Sequence, residues 1–135
     1  MAWRLLFLIF FTWSAACKPS VSGSAPPGKK DSRTLNVQDF LEAYRKEPAG
    51  QAMLIDLRTP PEFEDGFIPG AVMINYLEDD IDLQLGRLDK SKTYYIYCQQ
   101  EGRSVLCIQK MENMGFKKVY LMKGGYDAFL LSGPN

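Results

Sequence analysis

The sequence contains no histidine in its 135 residues. That excludes Ser-His-Asp and Cys-His catalysis, histidine-ligated zinc and any imidazole acid or base. Net charge is also absent, because sixteen basic residues cancel sixteen acidic ones. A neutral chain has no electrostatic footprint for nucleic acid, so no nucleic-acid partner is expected. Cysteines are few: Cys17, Cys98 and Cys107. An odd count of three does not make a disulfide scaffold. The chemistry left to the chain runs on thiols, carboxylates, amines, hydroxyls or backbone, and no metal or cofactor is expected. With 46% hydrophobic and 24% charged residues, the composition is that of a globular chain and not of a disordered one. The length suits one domain with a short appendage, and that domain is large enough to bury a core without crosslinks.

Residues 1–16 read as an address. Met1 to Arg4 give a short positive start. Leu5 to Trp13 is apolar, but too short to cross roughly 30 Å of hydrocarbon as a helix. Ser14, Ala15 and Ala16 then supply the small residues of a secretory cleavage site. The segment S-A-A-C resembles the lipobox of bacterial lipoproteins, with Ser14 where Leu is usual. That resemblance implies lipid attachment at Cys17, a membrane anchor and a periplasmic or cell-envelope location. Ordinary cleavage near Ala16, leaving a free Cys17, is the alternative, and it too places the chain outside the cytoplasm. Residues 17–33, rich in Pro, Gly, Ser and charge, read as a flexible tether. Residues 34–133 form the expected folded domain.

Within that domain, strand and helix patterns alternate. Asn36 is placed to cap a helix whose apolar residues Val37, Phe40, Leu41 and Tyr44 fall on one stripe. Ala52 to Leu57 is a nearly continuous apolar run, the mark of a strand buried on both faces. Pro61, followed by Glu62 and Glu64, suits the first turn of a helix. Ala71 to Tyr76 is a second strand candidate, and Asp79 to Leu88 has helical spacing. Thr93 to Cys98 is the best strand pattern in the chain. Ser104 to Met114 is a helix closed by Gly115, Lys118 to Leu121 a last strand, and Gly124-Gly125 opens a terminal helix over Tyr126 to Leu131. The alternation predicts an α/β fold with a mostly parallel central sheet flanked by helices in three layers. Such sheets build sites at the carboxyl ends of their strands. Two polar residues stand there against the apolar trend, Asp56 and Cys98.

Cys98 ends a strand and Ser104 starts a helix, with Q-Q-E-G-R between. A strand-loop-helix turn of this kind aims backbone N–H groups inward, and the helix N-terminus adds partial positive charge. Arg103 closes the loop with a full charge. That cradle favours a thiolate nucleophile that needs no histidine. A buried structural cysteine after a strand gives the same local pattern. Cys107 lies on the apolar stripe with Ile108 and Met111 and reads as core, not as a disulfide partner of Cys98.

Three motifs in order resemble the rhodanese family. Residues 54–71, LIDLRTPPEFEDGFIPGA, are similar to its signature D-x-R-x-P-x-E-F/Y-x-x-G-H-I-P-G-A. Residues 98–104, C-Q-Q-E-G-R-S, resemble its active-site loop C-x-x-G-x-R-S, and residues 121–129, LMKGGYDAF, its closing L-x-G-G-x-x-A-W. The resemblance implies a single-domain sulfurtransferase of rhodanese-like fold. Cys98 would accept a sulfane sulfur and hold it as a persulfide. The backbone of Gln99, Gln100, Glu101, Gly102 and Arg103, leading into Ser104, would bind the substrate. Arg103 would orient the loop and draw in an anionic donor such as thiosulfate, and cyanide or a thiol would take the sulfur. Asp56 and Arg58 match D-x-R and are assigned to support of the site.

The spacing C-x4-R is that of the sulfurtransferases. The related phosphatases use C-x5-R and usually carry His where Tyr97 stands. The chain departs from the family pattern at Glu101, where the loop glycine is expected, at Phe67 (His) and at Phe129 (Trp). Glu101 either brings negative charge toward the site or points to solvent. Two other functions fit the same residues: a low-turnover binding or regulatory module of the same fold, and a thiol-redox protein of the cell envelope.

Overall fold

A computed structural model describes residues 31–133, of which 31–33 are described by their backbone alone. The lipobox, Cys17 and most of the expected tether lie outside the described residues. Five strands and five helices alternate: β1 (Asp31–Leu35), α1 (Val37–Lys46), β2 (Ala52–Asp56), α2 (Pro60–Glu64), β3 (Val72–Met73), α3 (Ile81–Gly86), β4 (Thr93–Tyr97), α4 (Gly102–Asn113), β5 (Lys118–Met122) and α5 (Gly125–Leu131). The strands form one sheet in the order β1-β5-β4-β2-β3. Every pairing in it is parallel, as the strand–helix alternation predicts.

The side-chain period of two sorts β4 between the two faces. Tyr94 and Ile96, with Cys98 just beyond the strand, join Ile55, Leu85, Cys107 and Met111 in one apolar cluster. Tyr95 and Tyr97 join Phe40, Leu41, Leu54 and Tyr126 in the other. The sheet thus lies between α3 and α4 on one side and α1 and α5 on the other. All five β4 residues are buried, which explains the run of aromatic and β-branched residues there.

The apolar stripe of α1 buries Val37, Phe40 and Leu41, and the Asn36 side chain accepts the Asp39 N–H at 2.9 Å as its cap. Burying Phe40 and Leu41 stabilises this packing by roughly 1.5–3 kcal/mol each. Pro48 disfavours helical geometry at the residue before it, and Glu47 is extended, with ψ 141°.

Several boundaries differ from the sequence pattern. The first strand begins at Asp31, inside the stretch that composition reads as tether. Parallel pairing with β5, Asp31 opposite Lys118 through Leu35 opposite Met122, rests on backbone and needs no apolar alternation. The candidate strand Ala71–Tyr76 is a ladder at only Val72 and Met73. Asn75 ends it, because its side chain accepts the Leu77 N–H and its carbonyl accepts the Glu78 N–H in a tight turn. Helix α3 is shorter than its periodicity, with Arg87 as its C-cap, and α4 begins two residues before Ser104, at Gly102. Gly115, at φ +93°, follows α4 as expected.

Candidate functional site

The carboxyl ends of β4 and β5 meet at one point. There the chain after β4, residues 98–103, runs against the start of α5. The Cys98 carbonyl accepts the Tyr126 N–H at 2.8 Å and the Gln99 carbonyl accepts the Asp127 N–H at 3.0 Å. The backbones approach so closely that only glycine fits between them. A Cβ on Gly125 would lie 2.2 Å from the Gln100 carbonyl oxygen and 2.5 Å from that of Cys98, and its φ is +62°. The double glycine at 124–125 is explained by this approach.

With those carbonyls committed to α5, the amides of the loop are left over. Among the described residues, none of the six consecutive N–H groups from Gln99 to Ser104 donates to a protein acceptor. The last three belong to the first turn of α4, where N–H groups have no helical partner. Cys98 stands at the head of this run, 1% exposed and in the apolar cluster beneath α4. The buried Ser104 hydroxyl likewise has no hydrogen-bond partner among the described residues.

The side chains of the loop alternate in their use. Gln99 donates to Asp127 Oδ1 at 2.5 Å and accepts from Arg58 Nη1 at 3.1 Å. Glu101 Oε1 accepts the Gly124 N–H at 2.6 Å. Arg103 places its two Nη atoms on the two oxygens of Glu62, each at 2.7 Å. Gln100 and Gly102, the positions between these anchors, are exposed. Three side chains therefore brace the loop against α5, the β5–α5 turn and α2, and the intervening positions face out. The Glu101 carboxylate is held by the β5–α5 turn.

Asp56 and Arg58 form the foundation beneath Gln99. The fully buried Asp56 carboxylate accepts from Arg58 Nε at 3.0 Å, from Nη2 at 2.8 Å and from the Arg58 N–H at 2.9 Å. Arg58 Nη2 also reaches the Gly66 carbonyl at 2.5 Å, and the guanidinium lies 3.9 Å from the centroid of the Tyr126 ring. Burial opposes the Arg58 charge, but the Asp56 carboxylate more than restores it, so the group sits above its ordinary value. The same pairing logic holds Glu62 down to about 2, first through its bonds from Arg103 and then through those from Thr59. Thr59 donates its N–H and hydroxyl to Glu62 Oε2 at 2.8 and 2.7 Å, which closes the first turn of α2. Burial pushes the Cys107 thiol up to about 12.

Beside the loop opens a cleft of about 310 Å³ lined by Arg58, Glu62, Asp65, Gln99, Tyr126 and Leu130. Glu62 and Asp127 were not singled out as site residues by the sequence. Glu62 had a signal, since it is the Glu of the P-x-E signature; Asp127 had none.

Comparison with known proteins agrees with this architecture. The chain belongs to the rhodanese-like family: residues 37–132 match the Rhodanese-like domain. It is 35% identical over 94 residues to YqhL, an uncharacterized protein of Bacillus subtilis, covering 70% of this chain and 69% of that one. It is 28% identical over 81 residues to a protein of Allochromatium vinosum named sulfurtransferase, covering 60% of this chain and 74% of that one. The crystal structure of a rhodanese-like domain protein from Staphylococcus aureus superposes with a TM-score of 0.61 at 28% identity, covering 72% of this chain and 90% of that one.

Proposed function

We propose that the protein is a sulfurtransferase that carries a sulfane sulfur as a persulfide on Cys98. The observation that carries this reading is the run of six amides, Gln99 to Ser104, that have no acceptor among the described residues and follow a cysteine at the carboxyl end of the central strand. Such a run holds an anionic sulfur without needing a histidine or a metal. The name of the Allochromatium vinosum relative supports it, as does the four-residue spacing between Cys98 and Arg103. The Cys98 thiolate attacks the outer sulfur of a sulfane donor, thiosulfate or a persulfide. The donor's S–S bond breaks, its remainder leaves as an anion, and a thiol or cyanide later takes the sulfur from Cys98. Two half-reactions through a covalent enzyme give ping-pong kinetics. The test is the mass of the reduced full-length chain after incubation with a donor. A gain of one sulfur on Cys98, lost in Cys98→Ser and discharged by cyanide as thiocyanate, is expected. No retained sulfur with any donor overturns the reading.

A second reading, a binding or regulatory module with little turnover, draws on the 1% exposure of Cys98, since a reacting sulfur must be reached. Thiol-redox work is the weaker rival, because Cys107 is buried and its thiol is pushed well above the neutral range. Export and lipid attachment at Cys17 stand as part of the proposal. Fatty-acid labelling is expected to mark the wild type and not Cys17→Ser.

A further inference from the structure

On the α1 and α5 side of the sheet lies a second cavity of about 310 Å³, and no residue of the Cys98 loop lines it. Its walls are apolar: Leu41 of α1, Ile68 and Pro69 from the segment between α2 and β3, and Phe129 of α5. Two polar side chains of α1, Tyr44 and Arg45, complete the lining, and no carboxylate does. The same two also line a neighbouring hollow of about 240 Å³ beside Glu47 and Gly50, so they stand on the ridge between the two spaces. Among the described residues, the exposed Arg45 side chain makes no ion pair or hydrogen bond, and the Tyr44 hydroxyl makes no hydrogen bond. That hydroxyl lies beside the Pro69 wall, since a Cβ on Gly70 would be 3.7 Å from it. The nearby carboxylates are engaged elsewhere, Glu42 with Lys46 and Glu47 with the Tyr95 hydroxyl. The cleft beside the Cys98 loop is the reverse case: Glu62 and Asp65 line it, and its cation, Arg58, is already paired.

Apolar walls with a few placed polar groups are the usual make-up of a small-molecule site. A bare inorganic anion would leave these walls in water, and a neutral apolar molecule would leave the guanidinium without a partner. A carboxylate on an apolar body answers both, because a guanidinium donates to a carboxylate through two parallel bonds and the Tyr44 hydroxyl can donate a third. The volume falls at the lower end of ligand-sized cavities, roughly 300–1,000 Å³, so the body is small. The Phe129 ring on the wall suits an aromatic body, which it can meet edge to face or in an offset stack. We propose that this cavity binds a small aryl carboxylate, with its ring among Leu41, Ile68, Pro69 and Phe129 and its carboxylate on the Arg45 guanidinium and the Tyr44 hydroxyl. The site is independent of the chemistry at Cys98, yet its walls touch the supports of that loop. The Phe129 ring stands 5.6 Å from the Tyr126 ring, whose face carries Arg58 at 3.9 Å, and the Ile68 N–H donates to the Tyr97 hydroxyl at 3.2 Å. Ile68 and Phe129 therefore report an occupant without any measurement of sulfur transfer.

The probe is hydrocinnamate, titrated into the full-length chain and followed by its amide resonances. Saturable shifts at the Ile68 and Phe129 amides are expected. Hydrocinnamamide, which has the same shape without the charge, and propionate, which lacks the ring, are each expected to bind at least about 10-fold more weakly, the scale of one charge-assisted bond or one buried ring. Arg45→Ala, at an exposed position of α1, is expected to weaken the carboxylate about 10-fold and to leave the amide unchanged. Tyr44→Phe keeps the ring against Tyr95 and is expected to lose affinity severalfold. Arg87→Ala removes an equal charge at the end of α3, across the sheet, and is expected to bind as the wild type does. Absence of saturable shifts at Ile68 and Phe129 overturns the proposal. Equal binding of acid and amide, or equal losses in Arg45→Ala and Arg87→Ala, overturns it as well, since the guanidinium then recognises nothing. Unchanged affinity in Tyr44→Phe removes the hydroxyl from the site. None of these outcomes touches the sulfur-transfer reading, which is tested by mass on Cys98 and not by this titration.

Discussion

Arg103 and Glu62 meet through two bonds of 2.7 Å, although forty residues separate them in the chain. The pair ties the end of the Cys98 loop to the first turn of α2, and the carboxylate that receives Arg103 is the same one that closes that turn against Thr59. One carboxylate thus sets the geometry of two elements. The charge of Arg103 is spent on position.

Arg103→Lys tests that division of labour. Lysine keeps the charge but presents no two-pronged fork to the carboxylate. If position is what matters, sulfur transfer by Arg103→Lys falls nearly as far as in Arg103→Ala, by up to about 10²-fold, the scale of a reacting group displaced by an ångström. Stability falls in both as well, because the pair is bidentate and its side chains are only 20% and 30% exposed, a geometry worth more than an exposed ion pair, so activity is compared at temperatures where each variant is folded. Steady-state kinetics beside thermal melts check this. Full activity in Arg103→Lys would show that the charge alone suffices.

The Asp56–Arg58 pair is expected to bear more heavily on stability. Both groups are buried, so Arg58→Ala leaves a carboxylate in the interior without its partner. A loss of roughly 3–5 kcal/mol in unfolding free energy is expected, measured by urea titration. Activity falls with it, because Gln99 loses one of its two anchors. A loss below about 1 kcal/mol, the scale of an exposed pair, would mean that water replaces the guanidinium at Asp56.

Acid gives a third handle. The Glu62 carboxyl is held at about 2, below its ordinary 4.5. Between those values the unfolded chain binds a proton that the folded one does not, so the stability that Glu62 contributes is fully present above about 4.5 and drains away as pH falls toward 2. Unfolding free energies measured across that window are expected to fall more steeply in the wild type than in Glu62→Gln. Parallel curves would show that Arg103 does not hold the carboxylate in solution.

Much of this architecture is legible in the chain because its signals are local. The Val37, Phe40, Leu41 stripe, the run Thr93 to Tyr97 and the glycine pair at 124–125 each follow from periodicity or from a turn requirement that a few neighbouring residues express. The braces of the loop do not follow in that way. Gln99 with Asp127, and Glu101 with the Gly124 N–H, join positions brought together only when β4 and β5 lie side by side. No period marks the partner in advance. Glu101 is the instructive case: as a departure from glycine it reads either as a charge near an anion site or as a solvent-facing side chain, and neither reading names the backbone amide of Gly124 that it accepts from. The strand at Asp31 was hidden for a related reason, since an edge strand paired through backbone leaves no apolar rhythm in a segment rich in serine and charge.

The sharpest steric expectation concerns Gly125. Alanine there must adopt a φ near +62° and place its Cβ 2.2 Å from the Gln100 carbonyl oxygen and 2.5 Å from that of Cys98. The conformation alone costs on the order of 1–3 kcal/mol, and the overlap with backbone oxygens cannot be relieved by turning a side chain. Relief requires α5 and the Cys98 loop to part, which breaks the bonds from Tyr126 N–H to Cys98 and from Asp127 N–H to Gln99. Gly125→Ala is therefore expected to lose stability and sulfur loading of Cys98 together. Hydrogen exchange should show faster exchange at the Tyr126 and Asp127 amides than in the wild type. Gly50→Ala serves as the comparison, because it shares a positive φ of +77° but has nothing within 4 Å of its Cβ. It should lose stability through strain alone and keep sulfur loading. If Gly125→Ala loads sulfur as fast as Gly50→Ala, the close approach of α5 does not shape the loop.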